Sequence, residues 1–373
     1  MRLLIAGGGT GGHLYPALAV AHAFRAEDPD GALLLVGRAG GPEETLVPEA
    51  GFDLETINVR GLDRDALWKN IALPVVAPAA LRSGLRIVDR FRPDVVLGMG
   101  GYVMAPAVAA ARLRRIPYVL HEKDVRPGLA TRFFARGAAV VCTTLPGTEA
   151  RLRTKRVELT GVPLREGFQP RIPNVPPRRL LITGGSQGAR HINEAVWGAL
   201  DELLRRFAEV VHVAGKQGAE GVRSHARPGY RGLEFTGDMP QLMAEADLVV
   251  SRAGVGTIAE ISAVGLPMVL VPGTFGGGHQ EENANAMVDA GAAVRIGDAD
   301  LDPESLVAAL DSLTPDKLRA MAKASAASGR HDAAKRVLKV LHDVVGTRRF
   351  TSWAWAARVS QHWLASSSRA ATR

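Results

Sequence analysis

The fold is decided by the stretch LLIAGGGTGGH at residues 3–13, in which a short apolar run is followed at once by a glycine-rich loop. The same pattern returns at residues 180–189 as LLITGGSQGA. A buried strand, a glycine turn and then a helix open a Rossmann-type unit, in which loop amides approach an anion at the helix N-terminus. Two such openings in one chain predict two Rossmann-like α/β domains that face each other across a cleft.

Short apolar runs bounded by glycine or proline continue in both halves and predict parallel strands with helices between them. The first helix is expected to begin near Pro16, because proline suits the first turn of a helix. The predicted strands are Leu3–Ala6, Leu33–Val36, Val95–Leu97, Tyr118–Leu120 and Ala139–Cys142 in the first half, and Leu180–Thr183, Val210–Val213, Glu234–Thr236, Leu248–Val250, Met268–Val271 and Val294–Ile296 in the second.

Five prolines between Gly161 and Arg179 mark the connection between the two domains. We therefore expect a first domain at residues 1–162, a proline-rich linker at 163–178, a second domain at 179–343 and a tail at 344–373. Five arginines and no acid follow Asp343, so more than half of the net charge of +8 lies in the tail. This distribution argues against nucleic-acid binding by the protein as a whole.

The composition of the 373 residues is that of an ordinary globular protein. Hydrophobic residues make up 46% and charged residues 23%, which excludes wholesale disorder. A single cysteine, Cys142, excludes a disulfide framework and fits a reducing cytosol. No apolar run approaches the roughly 18 residues of a membrane-spanning helix. Only Leu3–Ala6 separates Arg2 from the first glycines, which is too short for a signal peptide.

Polar side chains follow several predicted strands, at the sheet edge where parallel strands line a cleft. His13 closes the first glycine loop, where it would serve as a base or have a structural role. The cluster His121–Asp124 would line the cleft or form a solvated turn. Glu260, about one turn into the helix that opens at Gly254–Thr257, would bind ribose hydroxyls or complement the helix dipole. These residues by themselves leave each pair of interpretations open.

The first loop also satisfies the dinucleotide pattern GxGxxG, at Gly7, Gly9 and Gly12. A dinucleotide site requires an acid at the end of the next strand, but that strand ends in Arg38, which would suit the 2′-phosphate of NADP. An NADP-linked oxidoreductase is therefore one alternative. The sequence holds no HExxH motif, and neither His279 nor His331 has a partner at metal-ligand spacing.

Seven motifs occur in register along the chain: Gly9–His13, Gly98–Tyr102, His121-Glu122, Gly161–Arg165, Gly184–Ala189, Ser251–Glu260 and His279-Gln280. Together they resemble the MurG family of peptidoglycan UDP-N-acetylglucosamine:lipid I N-acetylglucosaminyltransferases, in glycosyltransferase family 28. The resemblance covers roughly residues 1–343 and implies the GT-B fold, with an N-terminal acceptor domain and a C-terminal donor domain. It implies inverting transfer of N-acetylglucosamine from UDP-GlcNAc to the 4-hydroxyl of a lipid-linked muramoyl-peptide, with no cofactor and no metal.

The resemblance also implies roles for individual residues. His13 would be the general base on the acceptor hydroxyl, with Tyr102 and Glu122 on the acceptor side and Glu122 as the next candidate base. An unperturbed His13 would make activity fall as the pH drops through about 6.5. On the donor side, the diphosphate and sugar would face Thr10, Gly11 and Gly12, and phosphate would also bind Arg165, Ser186 and the segment Val255, Gly256, Thr257, Ile258 and Ala259. The uracil would bind the backbone at Thr236, and the ribose would bind Glu260. The N-acetylglucosamine would bind His279 and Gln280.

The sequence departs from the family pattern at several positions. Lys123-Asp124 stands where the family reads Gln-Asn, so Asp124 would accept but not donate hydrogen bonds to the donor sugar. Val162 replaces an asparagine, and Ala253 replaces a frequent serine. None of these changes removes the phosphate-binding loops.

The same residues leave three rival functions: a GT-B transferase with a different acceptor, the NADP-linked oxidoreductase, and a non-catalytic UDP-sugar binding module. A lipid-linked acceptor would place the enzyme peripherally on the cytoplasmic face of the membrane, near cell-wall synthesis and division proteins. Residues 67–92 would contact the membrane, because they mix apolar residues with five bases and only Asp89 as acid. The five bases are Lys69, Arg82, Arg86, Arg90 and Arg92. In the tail, Trp355, Val359 and Trp363 would form a second contact or belong to a disordered extension.

Overall fold

A computed structural model describes residues 1–59, 73–185, 188–274 and 278–347. Ser186, Lys69 and the predicted membrane helix of the tail lie outside the described residues. The first sheet has seven parallel strands in the order β3-β2-β1-β4-β5-β6-β7. Its strands are β1 (Arg2–Ala6), β2 (Ala32–Arg38), β3 (Leu54–Ile57), β4 (Val95–Gly98), β5 (Tyr118–Glu122), β6 (Val140–Thr143) and β7 (Val157–Leu159). Its helices are α1 (Gly11–Glu27), α2 (Glu43–Glu49), α3 (Leu73–Phe91), α4 (Ala105–Leu113) and α5 (Leu129–Phe134).

The second sheet has six parallel strands in the order β10-β9-β8-β11-β12-β13. Its strands are β8 (Arg179–Thr183), β9 (Glu209–Val213), β10 (Tyr230–Leu233), β11 (Leu248–Ser251), β12 (Met268–Leu270) and β13 (Ala293–Arg295). Its helices are α6 (Arg190–Gly198), α7 (Leu200–Arg206), α8 (Ala219–Ser224), α9 (Met239–Glu245), α10 (Val255–Val264), α11 (His279–Asp289), α12 (Pro303–Asp311) and α13 (Pro315–Ser328). The two parallel sheets confirm the expected pair of Rossmann-like domains.

Two details of the predicted elements are wrong. Residues 234–236 form a loop after β10, and Phe235 is 65% exposed. The strand lies just before this loop, at the edge of the sheet, where it needs no continuous apolar run. Helix α1 begins at Gly11 rather than near Pro16, because the extended backbone of Thr10 ends the loop and both following glycines are helical. Pro16 lies inside the helix and is buried in the core.

A last helix, α14 (residues 333–347), leaves the second domain and packs on the first. Its buried side chains Val337, Leu338 and Leu341 join the cluster that contains Leu14 and Phe24 of α1. The expected domain boundary at residue 343 therefore does not match the packing, since the chain crosses back to the first domain before residue 333. This crossing joins the two domains through apolar burial as well as through the linker.

The linker is tied to the second domain by one buried carboxylate. Asp247 is 1% exposed and accepts hydrogen bonds from the Arg171 guanidinium at 2.8 Å, from Asn174 and from the backbone amides of Arg178 and Arg179. Burial alone would raise the pKa of Asp247, but these donors outweigh it and hold the pKa below its ordinary value. The proline-rich segment is thus fixed against β8 and β11.

No helix among the residues that the structure describes is long and apolar enough to cross a membrane.

Candidate active site

The carboxyl ends of the two sheets meet across one cleft. On the first domain, the segments that follow β1, β4 and β5 carry His13 in the first turn of α1, Tyr102 and Asp124. On the second domain, α10 and α11 begin at the facing edge. Direct contacts join the two sides: the Asn283 side chain donates to Asp124 at 3.3 Å, and the Arg165 guanidinium lies 6.0 Å from the ring centre of Tyr15. The sequence-predicted residues of both domains therefore line a common site.

The first glycine loop already binds an acidic side chain from within the protein. The backbone amide of Gly9 donates to the carboxylate of Glu43, a fully buried residue that sequence reasoning missed. Gly8 has φ +143°, and a side chain there would overlap Glu43. Arg38, which would serve NADP, donates instead to the Tyr102 hydroxyl at 3.3 Å. These contacts weigh against a dinucleotide at this loop.

His13 lies partly exposed at the cleft, against the glycine loop that follows β4. Its Nδ1 is 3.1 Å from the Thr10 hydroxyl. Gly100 has φ +93°, and a Cβ there would lie 2.9 Å from the His13 ring, so only glycine fits beside it. Burial lowers the pKa of His13 to about 3, and Lys123 adds to the shift. The imidazole is therefore neutral at physiological pH, and the expected loss of activity near pH 6.5 does not follow for this residue.

Glu122 is buried and holds the loop after β5. Its carboxylate accepts hydrogen bonds from the backbone amides of Asp124 at 3.2 Å and of Gly128 at 3.1 Å. Burial raises the pKa of Glu122 despite these bonds. These bonds give Glu122 a structural role in the loop, and its role as the next candidate base stays a prediction.

Lys123 and Asp124, the departures from the family pattern, form an ion pair at 3.0 Å beside the first glycine loop. The Lys123 amine would lie 3.7 Å from a Cβ at Gly12, which places a cation next to the start of α1. Burial alone would raise the pKa of Asp124, but Lys123, Asn283 and His279 outweigh it and hold the pKa below its ordinary value. Asp124 thus remains an anion that is already paired.

The N-terminus of α10 offers backbone donors to an anion. The amides of Val255, Gly256 and Thr257 fall in the first turn, where no intrahelical acceptor exists. Within the described part of the chain, no side chain caps this end, and no acid lies in its first turn. The predicted contact of Ile258 with the donor does not fit the structure. Its amide donates to the carbonyl of Gly254 at 2.9 Å, and its side chain is buried in the core. Ala259 packs partly on the same core.

Glu260 lies on the same helix and has no hydrogen-bond partner among the described residues. Burial raises its pKa to about 7, and Arg165 opposes part of that shift. Arg165 also donates to the carbonyl of Gly237 at 3.1 Å, next to Thr236. A carboxyl group left without partners in a cleft is suited to a ligand that brings hydroxyl donors.

Two polar side chains at the start of α11 also have hydrogen-bonding groups available for a ligand. Nδ1 of His279 is buried without a partner among the residues described. The side-chain oxygen of Gln280 accepts from the Gly273 amide at 2.9 Å, which fixes the orientation of its amide group. Both residues thus retain donors or acceptors for a sugar.

Sequence comparisons agree with this arrangement. Residues 3–143 match the glycosyltransferase family 28 N-terminal domain, and residues 179–337 match the family 28 C-terminal domain. A protein of Desulfitobacterium hafniense is 38% identical over 92% of this chain and 99% of its own length, and one of Nocardioides sp. is 39% identical over 91% and 97%. Both are named UDP-N-acetylglucosamine–N-acetylmuramyl-(pentapeptide) pyrophosphoryl-undecaprenol N-acetylglucosamine transferase.

Solved structures show the same fold. The crystal structure of Acinetobacter baumannii MurG superimposes with a TM-score of 0.77 at 28% identity, over 92% of this chain and 99% of that one. The kitacinnamycin glycotransferase, at 18% identity and a TM-score of 0.66, covers 91% and 98% and shares the fold alone. The two sheets and the cleft between them thus have the GT-B fold, and the two family models make the chain a glycosyltransferase. The chain belongs to glycosyltransferase family 28.

Proposed function

We propose that this enzyme transfers N-acetylglucosamine from UDP-GlcNAc to the 4-hydroxyl of the muramic acid of lipid I, which forms lipid II and UDP. One observation carries the proposal: a single cleft joins the uncapped start of α10 and the unpartnered Glu260 to a neutral histidine on the opposite domain. The names of the relatives supply the donor and acceptor classes.

The donor would bind on the second domain. The amides of Val255–Thr257 and the dipole of α10 stabilise the diphosphate, both in the bound donor and as negative charge develops on the leaving UDP. Glu260 accepts the ribose hydroxyls, backbone near Thr236 binds the uracil, and His279 with Gln280 binds the sugar. Arg165 lies near the Thr236 loop and Glu260, where it balances the charge of the nucleotide.

The acceptor would approach from the first domain. His13 accepts the proton of the 4-hydroxyl as that oxygen attacks the anomeric carbon from the face opposite UDP. Attack from this face breaks the bond to UDP and inverts the configuration of the sugar. Tyr102, held by Arg38, lies beside the loop that carries Gly9 and contributes to the acceptor side.

Glu260→Ala is expected to weaken binding of UDP-GlcNAc ten- to a hundredfold, because a hydrogen bond to a charged group contributes about 1.5–3 kcal/mol. Isothermal titration measures this constant, and titration with NADPH tests the oxidoreductase alternative. Glu304→Ala, which removes a first-turn carboxylate from α12, is the control. A dissociation constant for Glu260→Ala within about twofold of the parent value would refute the ribose role.

Donor binding is also expected to weaken as the pH falls through about 7. The carboxylate form of Glu260 accepts two hydroxyl hydrogens, and protonation removes part of that capacity. The diphosphate of UDP-GlcNAc is esterified at both ends and does not titrate in this range. Titrations at about pH 8 and pH 6 should therefore differ for the parent enzyme and agree for Glu260→Gln.

The proposed membrane contact lies on α3 and α4, which pack against each other. Arg82 and Arg86 are exposed on α3, and Leu113 is 59% exposed at the end of α4. Its neighbours Arg112 and Arg115 are also exposed, whereas Arg114 pairs with Asp89 at 2.6 Å. Arg90 contributes less than its sequence suggests, because it pairs with Glu55. This surface suits the anionic cytoplasmic leaflet.

R82E/R86E is expected to reduce binding to anionic liposomes at least thirtyfold, since each lost base contributes about 1 kcal/mol and each new acid is repelled by the same surface. Flotation with vesicles that contain phosphatidylglycerol measures the effect. The double reversal K317E/K323E on α13 is the control and should float like the parent protein. Equal flotation of both double variants would place the membrane contact elsewhere.

A further inference from the structure

Asn283 connects the two domains with one buried side chain. Its oxygen accepts a hydrogen bond from the Val125 amide at 3.3 Å, and its nitrogen donates to the Asp124 carboxylate and to the carbonyl of Ala253, each at 3.3 Å. The residue is 1% exposed. Asp124 and Val125 belong to the loop after β5 of the first domain, whereas Ala253 and Asn283 belong to the second.

The chemistry of these contacts fixes the orientation of the amide. Rotation by half a turn would set the Asn283 oxygen against two other oxygens and its nitrogen against the Val125 N–H. Ala253 directly precedes Gly254, which opens the phosphate-binding end of α10. Asp124 is paired with Lys123, which lies beside the start of α1. A single side chain thus spans from the donor phosphate site to the loop that borders His13.

We propose that Asn283 is a positioning residue that holds the loop of residues 123–125 in register with the donor phosphate site. In this chain Asp124 is then the partner of Asn283 and Lys123 rather than a ligand of the donor sugar. The inference rests on the proposed transferase function. Attack on the anomeric carbon requires close alignment of groups from both domains, and a misplacement of about 1 Å lowers turnover about a hundredfold. Donor affinity depends on residues of the second domain and should be preserved.

The test is a reciprocal exchange. N283D sets a second carboxylate against Asp124 and should lower kcat about a hundredfold. Asn283→Ala adds no charge near the donor phosphate site, so it should lower kcat similarly with the dissociation constant of UDP-GlcNAc within about threefold of the parent value. D124N/N283D restores the bond between positions 124 and 283 with donor and acceptor exchanged, and the new carboxylate still accepts from the Val125 amide. The bond to the Ala253 carbonyl stays lost, because a carboxylate cannot donate. This double variant should recover at least tenfold of the lost kcat. The control is R295Q, which removes an ion pair between Arg295 of β13 and Glu281 of α11, the helix that carries Asn283.

Amide hydrogen exchange over residues 123–128 gives a readout that needs no acceptor. Exchange there should accelerate in N283D and return toward the parent rate in D124N/N283D. If N283D does not fold, Asn283→Ala removes the three bonds without adding charge and should show the same loss of kcat and the same faster exchange. Parent-like kcat and exchange in the folded variant, or a double variant no better than N283D, would overturn the proposal. Restored exchange protection without any transfer to lipid I would instead refute the proposed acceptor and leave the positioning role intact.

Discussion

Replacing His13 with alanine is expected to lower turnover by a hundred- to ten-thousandfold, the usual contribution of a general base. Burial lowers the pKa of His13 to about 3, so the imidazole is neutral, and the negative charge of the bound diphosphate is expected to raise its proton affinity toward that of a general base. Donor affinity should change little, since the amides of α10 and Glu260 lie on the other domain. Steady-state rates at saturating donor and acceptor measure the effect.

The variant His13→Asn separates proton transfer from orientation. Asparagine can orient a hydroxyl but cannot accept its proton, so the rate should stay low if His13 is the base. A His13 pKa of about 3 also means that this group stays neutral well into the acidic range. If turnover falls as the pH drops below about 7, that fall should therefore be absent in Glu260→Gln and remain in His13→Asn. Turnover of His13→Ala within about threefold of the parent enzyme would refute the base assignment.

Gly256→Asp is expected to weaken UDP-GlcNAc binding more than a hundredfold without harming the fold. A Cβ at Gly256 meets no atom within 4 Å, and an acid in the first turn of α10 complements the helix dipole. The same carboxylate would stand about 5 Å from the bound diphosphate, where like charges repel by about 3 kcal/mol at an effective dielectric of about 20. Stability should therefore hold or rise while donor binding is lost.

The controls for this substitution are Gly256→Asn, which adds a side chain of similar size without charge, and Gly256→Ala, which adds only the Cβ. Both should bind UDP-GlcNAc within about tenfold of the parent enzyme, as measured by isothermal titration, and thermal unfolding should report all three variants as folded. Equal binding by the aspartate and asparagine variants would show that the diphosphate does not lie at the start of α10.

The sequence predicts the central strands well because they are buried on both faces and must be apolar. Strands β1 and β8 are of this kind, and each is followed by a glycine loop that requires a tight turn. The edge strands are less marked, since one side has no neighbouring strand and polar residues are tolerated there. For this reason Leu54–Ile57 and Val157–Leu159 escaped prediction, and the strand at Tyr230–Leu233 was placed four residues too late.

In the site, too, local sequence patterns were predictable and contacts between residues far apart in the chain were not. The position of Glu260 after a glycine turn is a local pattern, so its place at the cleft was predictable. The contacts of Glu43 with Gly9 and of Asn283 with Asp124 join residues 34 and 159 positions apart, and no spacing rule signals them. The low pKa of His13 likewise arises from burial and from Lys123, which only the folded chain brings together.

The central claim is tested most directly by incubating the enzyme with UDP-GlcNAc labelled in the sugar and a synthetic lipid I analogue. We expect one labelled sugar to appear on the lipid for each UDP released, joined to the muramic acid 4-oxygen with inverted configuration. Glycolipids and small-molecule acceptors without muramic acid should remain unlabelled. Release of UDP without labelled lipid, or equal labelling of the unrelated acceptors, would contradict the proposed function.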